Sequence, residues 1–242
     1  MSEYLFLDLE TTGLEAKDRI CELACICEDE EGLIMSSNAL CKSPKKVSHE
    51  AMALHHITNE MLNDEKVCQE TSTYKYLQEH NTEENVLIAH NIRFDLEMLV
   101  KEGFDLKMQT VDTLRCVKSL IPECEIFSLQ FLRYELGLYK EEKELAQHIG
   151  IDISAHRALS DALHVKLLWK TLLQYATVSQ LVAISSRPVL MEKLPFGKYS
   201  GRYIEEIAGS DAGYLHWMLS NIDDMDEDLS YSIQKYLEEG GF

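Results

Sequence analysis

The chain has 242 residues, 45% hydrophobic and 27% charged, with only 4 prolines; it is long enough for one substantial domain and a small second one, and unlike disordered or fibrous chains. No apolar run approaches the ~18–20 residues that cross a bilayer, so no membrane-spanning helix is expected. With 23 Lys+Arg against 42 Asp+Glu, the net charge of −19 has the wrong sign for broad attraction to phosphates, so a nucleic-acid site here must draw positive charge from bound cations or lean on a partner.

In chain order, Tyr4–Leu9 reads as a short buried strand that ends in acidic residues. No basic stretch lies ahead of it, so no signal peptide is expected. Arg19–Glu28 and Gly32–Cys41 read as two further strands joined by the turn Asp29-Glu30-Glu31-Gly32. Helical sequence follows around Ser48–His55 and Gln69–His80, with Ser48 a weak cap. Val86–His90 is another buried strand, running into Asn91 as a helix cap and a helix stopped by Gly103. Thr110–Leu114 ends a strand, Ser128–Leu136 is helical and closed by Gly137, and Ala155–Tyr175 is a helix with a wide apolar face. Three strands followed by mixed helices and strands predict an α/β domain with a mixed sheet. The composition changes near Ser185–Pro188. The expected organisation is a main domain over 1–178, a linker over 179–192 and a small module over 193–242.

The seven cysteines include no Cys-x-x-Cys pair and lie in apolar runs such as Ala24-Cys25-Ile26-Cys27, which predicts reduced, buried thiols in a cytoplasmic protein and no zinc ribbon. His55-His56 is a poor metal pair, because adjacent helical residues point about 100° apart.

Two-metal hydrolysis of a phosphodiester needs carboxylates that converge from separate segments on cations about 3.5–4 Å apart, and a proton acceptor for water. Asp8 and Glu10 close the first strand, and their i, i+2 spacing puts both on one face. The same spacing recurs at Asp29–Glu31 and Asp95–Glu97 in this acidic chain, so only the apolar run before them and the Thr11-Thr12-Gly13-Leu14 turn after them set the first pair apart. Asp95 follows a buried strand in the first turn of a helix, where an acid is favourable for the helix dipole alone. Asp161 lies on an apolar helix face, where a carboxylate needs a partner, and His156 precedes that helix. A lone histidine so placed is more often a packing or capping residue than a base.

Taken together, "FLDLETTGL", "AHNIRFDLEML" and "HRALSDA" resemble the three motifs of the DEDDh 3′–5′ exonuclease superfamily, which includes polymerase proofreading subunits and exonuclease X. "SHEAMALHHITNEML" is similar to a further family stretch, with His56 where glycine is common. The resemblance spans roughly residues 4–175 and implies an RNase H-like mixed sheet flanked by helices. It further implies catalytic residues Asp8, Glu10, Asp95, His156 and Asp161, the four acids holding two Mg2+ (or Mn2+) ions per site and His156 serving as general base. Thr11 and Leu14 would sit against the terminal nucleotide, Leu14 as an apolar wedge; Phe94 would be packing first.

The implied activity is a metal-dependent exodeoxyribonuclease acting on DNA 3′ ends in repair or replication. An exoribonuclease remains open, because nothing here reports on the 2′-position. So does a polymerase-associated binding subunit, which poor intrinsic grip on DNA favours slightly.

"LPFGKYSGRYIEEIAGSDAGYLHWML" resembles a small bacterial module found after some exonuclease X-like domains. Pro195-Phe196-Gly197-Lys198 is no phosphate loop, since Glu192 and Tyr199 stand where that motif needs glycine and Ser/Thr. Lys198, Arg202, Tyr199, Tyr203 and Trp217 offer a basic-aromatic surface for a single strand. Helical spacing favours the plainer expectation that Tyr203, Leu215, Trp217 and Met218 form the module's core. Asp223–Asp228 reads as a solvated acidic turn.

Overall fold

The computed structural model describes residues 2–240. The chain divides into two compact units, Met1–Ser185 and Ser186–Phe242. The first is built on strands β1 (Tyr4–Thr11), β2 (Ile20–Glu28), β3 (Ile34–Leu40), β4 (Val86–Ala89) and β5 (Gln109–Asp112), with helices α1 (His49–His55), α2 (Ser72–Glu79), α3 (Ile92–Lys101), α4 (Thr113–Leu120), α5 (Leu129–Glu135), α6 (Glu142–Ile149), α7 (Ala158–Leu172) and α8 (Val178–Ser185). The sheet order is β3-β2-β1-β4-β5. β1, β2 and β3 form an antiparallel meander, whereas β4 and β5 run parallel to β1.

The period-2 alternation of β1 decides where its acids point. Phe6 packs into a core with Ile26, Ile88 and the buried residues of α7, while Leu5, Leu7 and Leu9 pack into a second core with Leu23, Leu87 and α3 residues Met98 and Leu99. Asp8 and Glu10 continue the Phe6 side, which is the α7 side of the sheet. Pairing with β2 shifts register between Glu10 and Thr11, and the strand ends there.

Several local expectations need amendment. The expected helix over 69–80 is broken: Cys68–Glu70 is one 3₁₀ turn, and α2 starts anew after the extended cap residue Thr71, whose side chain accepts from the Tyr74 N–H. The helix expected from Ala155 begins at Ala158, because residues 155–157 form the turn that carries His156. Residues 179–185, expected within the linker, complete α8, which buries Leu181 in the α7-side core. Past it, Val189 and Met191 already donate to Asp228 and Ser232 within the second unit.

His56 ends α1 at φ 62 in the left-handed region, which explains why the related stretch favours glycine there. Left-handed backbone costs a side-chain-bearing residue about 1–2 kcal/mol, less the ~0.5–1 kcal/mol of extra freedom glycine loses on folding. His56→Gly is therefore expected to stabilise the chain by about 0.5–1 kcal/mol and raise its melting temperature by about 1–4 °C, readable by calorimetry.

The second unit holds α9 (Ile204–Asn221), interrupted at Asp211 by non-helical backbone, and α10 (Glu227–Gly240). Leu194, Ile204, Ile207, Leu215, Met218, Leu229 and Ile233 form its core. Leu215 and Met218 are buried as expected, but Tyr203 and Trp217 are 45% and 53% exposed, so they lie outside the core assigned to them from helical spacing. Residues 223, 224, 226 and 227 are exposed, with Asp226 capping α10 through the Leu229 N–H. Among the described residues no helix is long and apolar enough to cross a membrane.

Candidate active site

Asp8, Glu10 and Asp161 converge at the end of β1 against the first turn of α7, each offering a carboxylate oxygen within 4.8 Å of the others'. Burial, then repulsion from Asp161, Asp95, Glu10 and Glu22, holds the Asp8 carboxyl well above its ordinary range. Burial and the charges of Asp161 and Glu22 push Glu10 up to about 8, against the opposing pull of Arg157. Asp95 is buried in the first turn of α3, and burial together with Asp112 raises it, although backbone N–H bonding works the other way. Acids this crowded are relieved by taking up protons or by a cation. An all-carboxylate oxygen donor set suits a hard divalent ion, so the residues present fit such a metal.

Asp95 and His156 stand outside the tight group of three. Asp95 acts on it through the field at Asp8. It follows β4 through Asn91, which occupies the cap position at φ 64 without a side-chain cap bond; instead its N–H donates to Asp112. His156 sits half-buried in the turn before α7 at φ 55.

The segment after Glu10 is a built loop. Thr12 donates to Asp18, whose other oxygen accepts from the Glu15 N–H, and Lys45 pairs with Asp18 at 2.6 Å. Gly13 has φ 155, and a Cβ there would press against Asp18 at 2.9 Å, so no larger residue fits without displacing the loop. Leu14 stands out from this loop 86% exposed. A groove beside it is lined by Glu10, Thr11, Leu54 and Phe94. Thr11 is held from behind by His55, whose Nδ1 accepts from the Ile57 N–H, leaving Nε2–H to donate to the Thr11 carbonyl at 3.1 Å. That neutral tautomer, kept neutral by burial, serves the loop and is no metal ligand.

Supporting residues without a motif surround Asp161 and His156. Glu22 of β2 is fully buried. Its carboxylate accepts from Arg157 Nε at 3.0 Å and from the second guanidinium arm at 2.6 Å, and from the Ala158 N–H at 3.0 Å. α7 has no side-chain cap of its own; a carboxylate from β2 caps it, where the helix dipole favours negative charge. On the other side, Gln130 donates to Asp161 Oδ1, and buried His164 joins Asp161 to Glu142 through contacts of 3.3 and 3.2 Å. Arg133 clasps Glu142 with two bonds and holds its carboxyl below its ordinary range. Glu22 and His164 are polar residues inside apolar segments, a signal the sequence does carry; Gln130 and Glu142 carry none.

All seven cysteines are buried and unpaired. Burial pushes the thiols of Cys21, Cys25 and Cys27 upward, so none is a ready thiolate ligand.

Residues 5–168 match the model of a family described as exonuclease, and residues 194–223 match the exodeoxyribonuclease X-like C-terminal family. Exodeoxyribonuclease 10 of Escherichia coli K12 is 28% identical over 96% of this chain and 97% of its own length. The DNA polymerase III subunit epsilon of Treponema pallidum is 30% identical over 69% of this chain and 75% of its own. Among solved structures, exonuclease X in complex with 5′ overhanging duplex DNA superposes with a TM-score of 0.57 at 21% identity, covering 77% of this chain and 100% of that one. Escherichia coli exonuclease I with a dT13 oligonucleotide gives 0.53 at 20% identity, over 76% of this chain and 43% of that one. The open mixed sheet flanked by helices is the RNase H-like fold of these neighbours.

Proposed function

The chain belongs to the exonuclease family, and on that premise we propose that it is a 3′–5′ exodeoxyribonuclease of DNA repair or replication, releasing nucleoside monophosphates from DNA 3′ ends. The observation that carries this reading is the convergence of Asp8, Glu10 and Asp161 within 4.8 Å at the end of a buried strand. With Asp95 they are the ligands for two Mg2+ or Mn2+ ions. Such ions, when bound, supply Lewis-acid activation of the attacking water and stabilise charge on the leaving oxygen. In this reading His156 accepts the water's proton, and its backbone is left-handed at φ 55 beside Arg157, which bonds to Glu22. Thr11 and Leu14 border the groove that takes the terminal nucleotide, with Leu14 against the last base.

The test is digestion of paired 5′-labelled single-stranded DNA and RNA oligonucleotides of one sequence, with Mg2+, Mn2+ or EDTA. A metal-dependent ladder shortening from the 3′ end of DNA is expected, with kcat about 10²–10⁴-fold lower in His156→Ala, the usual worth of a positioned base. Cleavage of RNA alone would move the assignment to an exoribonuclease.

A second reading, an exonuclease delivered to DNA by a polymerase, is favoured by the net charge of −19 and by the epsilon-subunit relative. It predicts low processivity for the isolated chain and co-purification with a polymerase.

A further inference from the structure

The second unit leaves two aromatic rings, Phe196 and Trp217, in water beside Tyr199 and Tyr214, which pack against its core. Leu194, Ile204, Ile207, Leu215 and Met218 close that core, while Trp217 is 53% and Phe196 45% exposed. These rings belong to one connected surface. Tyr214 lies nearly parallel to Trp217, with ring centroids 6.0 Å apart and 23° between planes, and meets Tyr199 edge-on at 5.2 Å. The loop that carries Phe196 is fastened to the same rings: the Lys198 N–H donates to Tyr214 Oη at 3.0 Å, and a Cβ at Gly197, which has φ 83, would collide with that hydroxyl.

Two cations complete the surface. Lys198 Nζ lies 4.5 Å from the centre of the Tyr199 ring and 5.9 Å from that of Tyr214, and the Arg202 guanidinium lies 5.3 Å from Tyr199. Their acidic partners are weak competitors. Lys198–Asp211 is a pair at 3.0 Å near the surface, with Asp211 also accepting from Tyr199 Oη at 2.8 Å, and Arg202–Glu206 is an exposed pair at 3.5 Å; such surface ion pairs contribute little.

Exposed rings alone would suit many partners. Cations seated beside ring faces, in a chain whose net charge is −19, select a ligand that is planar and anionic together. Two of the unit's five basic residues, Lys198 and Arg202, lie on this surface, whereas Asp223, Asp224 and Asp226 lie in the turn before α10. In a duplex the base faces are already stacked; in a single strand they are available to aromatic side chains, with the backbone tracked by cations.

We infer that the surface formed by Phe196, Lys198, Tyr199, Arg202, Tyr214 and Trp217 is a binding site for single-stranded DNA, separate from the carboxylate centre. The inference rests on the exonuclease reading only for why a strand should be at hand. Strand held by this unit raises the local concentration of substrate for the nuclease on the same chain.

The test uses the full chain in EDTA, where no turnover occurs, with a 5′-fluorescein-labelled twelve-residue oligo(dT) read by anisotropy. The chain has 2 tryptophans, and Trp169 is buried, so Trp169→Phe leaves Trp217 as the sole emitter. Its emission is expected to be quenched as the strand binds. Trp217→Ala and, independently, the exposed loop variant Phe196→Ala should each weaken binding about 5- to 100-fold, the worth of one stacked base. Lys198→Gln should lower the slope of log affinity against log salt by about 0.7. Absent quenching, with both alanine variants binding as the parent does, overturns the inference. Because the readout needs no cleavage, a DNA ladder that forms normally beside unchanged binding sinks this site alone, and strand binding without any ladder sinks the nuclease reading alone.

Discussion

Asp161→Asn is expected to lower metal-dependent turnover by about 10³-fold or more while making the EDTA-treated protein more resistant to heat. The first effect follows from removing a carboxylate of the three-acid group, since Lewis-acid stabilisation of the transition state is worth several kcal/mol and each ~1.4 kcal/mol is tenfold in rate. The second follows from the crowding of the acids. After burial, Asp161 is the largest source of repulsion at both Asp8 and Glu10. An asparagine keeps the oxygen that accepts from Gln130 and removes the charge.

The same crowding sets a pH dependence with a definite sign. Glu10 titrates at about 8 in the folded chain against 4.5 for an ordinary glutamate. Between those values the folded chain binds more protons than the unfolded chain, so rising pH costs stability. Asp8, also raised, adds to the loss. The metal-free protein should therefore melt at a temperature that falls from about pH 5 to pH 8, by roughly 5 °C or more for a chain of this size. Mg2+ should restore more of it at pH 8 than at pH 5, because ligands must be deprotonated to bind. Asp161→Asn should flatten the slope. A melting temperature that rises with pH in EDTA, or an Asn variant that keeps its turnover, would count against the carboxylates as a cation site.

Much of this arrangement was legible because it rests on short-range patterns. The apolar run Leu5-Phe6-Leu7 marks β1, and its alternation puts Asp8 and Glu10 on one side; the breadth of apolar positions in α7 marks a buried helix, so that Asp161 stands out. Longer-range dependencies left less trace. α8 lies in a stretch that reads as linker because Ser185, Ser186, Arg187 and Pro188 follow it, yet it is held by tertiary burial of Leu181. Trp217 and Tyr203 show the converse: they stand in an aromatic-rich stretch beside Leu215 and Met218, but 100° per residue sets Trp217 about 200° from Leu215, on the outward side of α9, and Tyr203 is the cap residue that precedes the helix. Glu22 was hidden by abundance, one acid among 42, although an acid inside the apolar strand Ile20–Glu28 is costly unless paired.

That pairing makes Glu22→Gln the substitution with the largest expected effect on stability. Glu22 accepts from both arms of Arg157, from the Ala158 N–H and from Asn38, so the charge in the β2 strand is fully satisfied. Removing one member of a buried pair costs about 3–5 kcal/mol. The low end applies here, because the Arg157 side chain is 33% exposed and regains some hydration. A loss of about 3 kcal/mol corresponds to a melting temperature lower by about 6–12 °C. A second loss is expected in turnover. Arg157 directly follows His156 and Ala158 opens the helix of Asp161, so loosening the Glu22 clamp loosens both; kcat should fall about 10–100-fold, as when a supporting partner of a metal ligand is removed, while KM changes little. The double variant Glu22→Gln/Arg157→Gln separates the two consequences. It removes the uncompensated guanidinium and should recover part of the stability, but it leaves the His156 turn without its anchor, so kcat should stay low. If kcat recovers in step with melting temperature, Glu22 matters to this enzyme only as a structural ion pair and has no part in aiming the histidine.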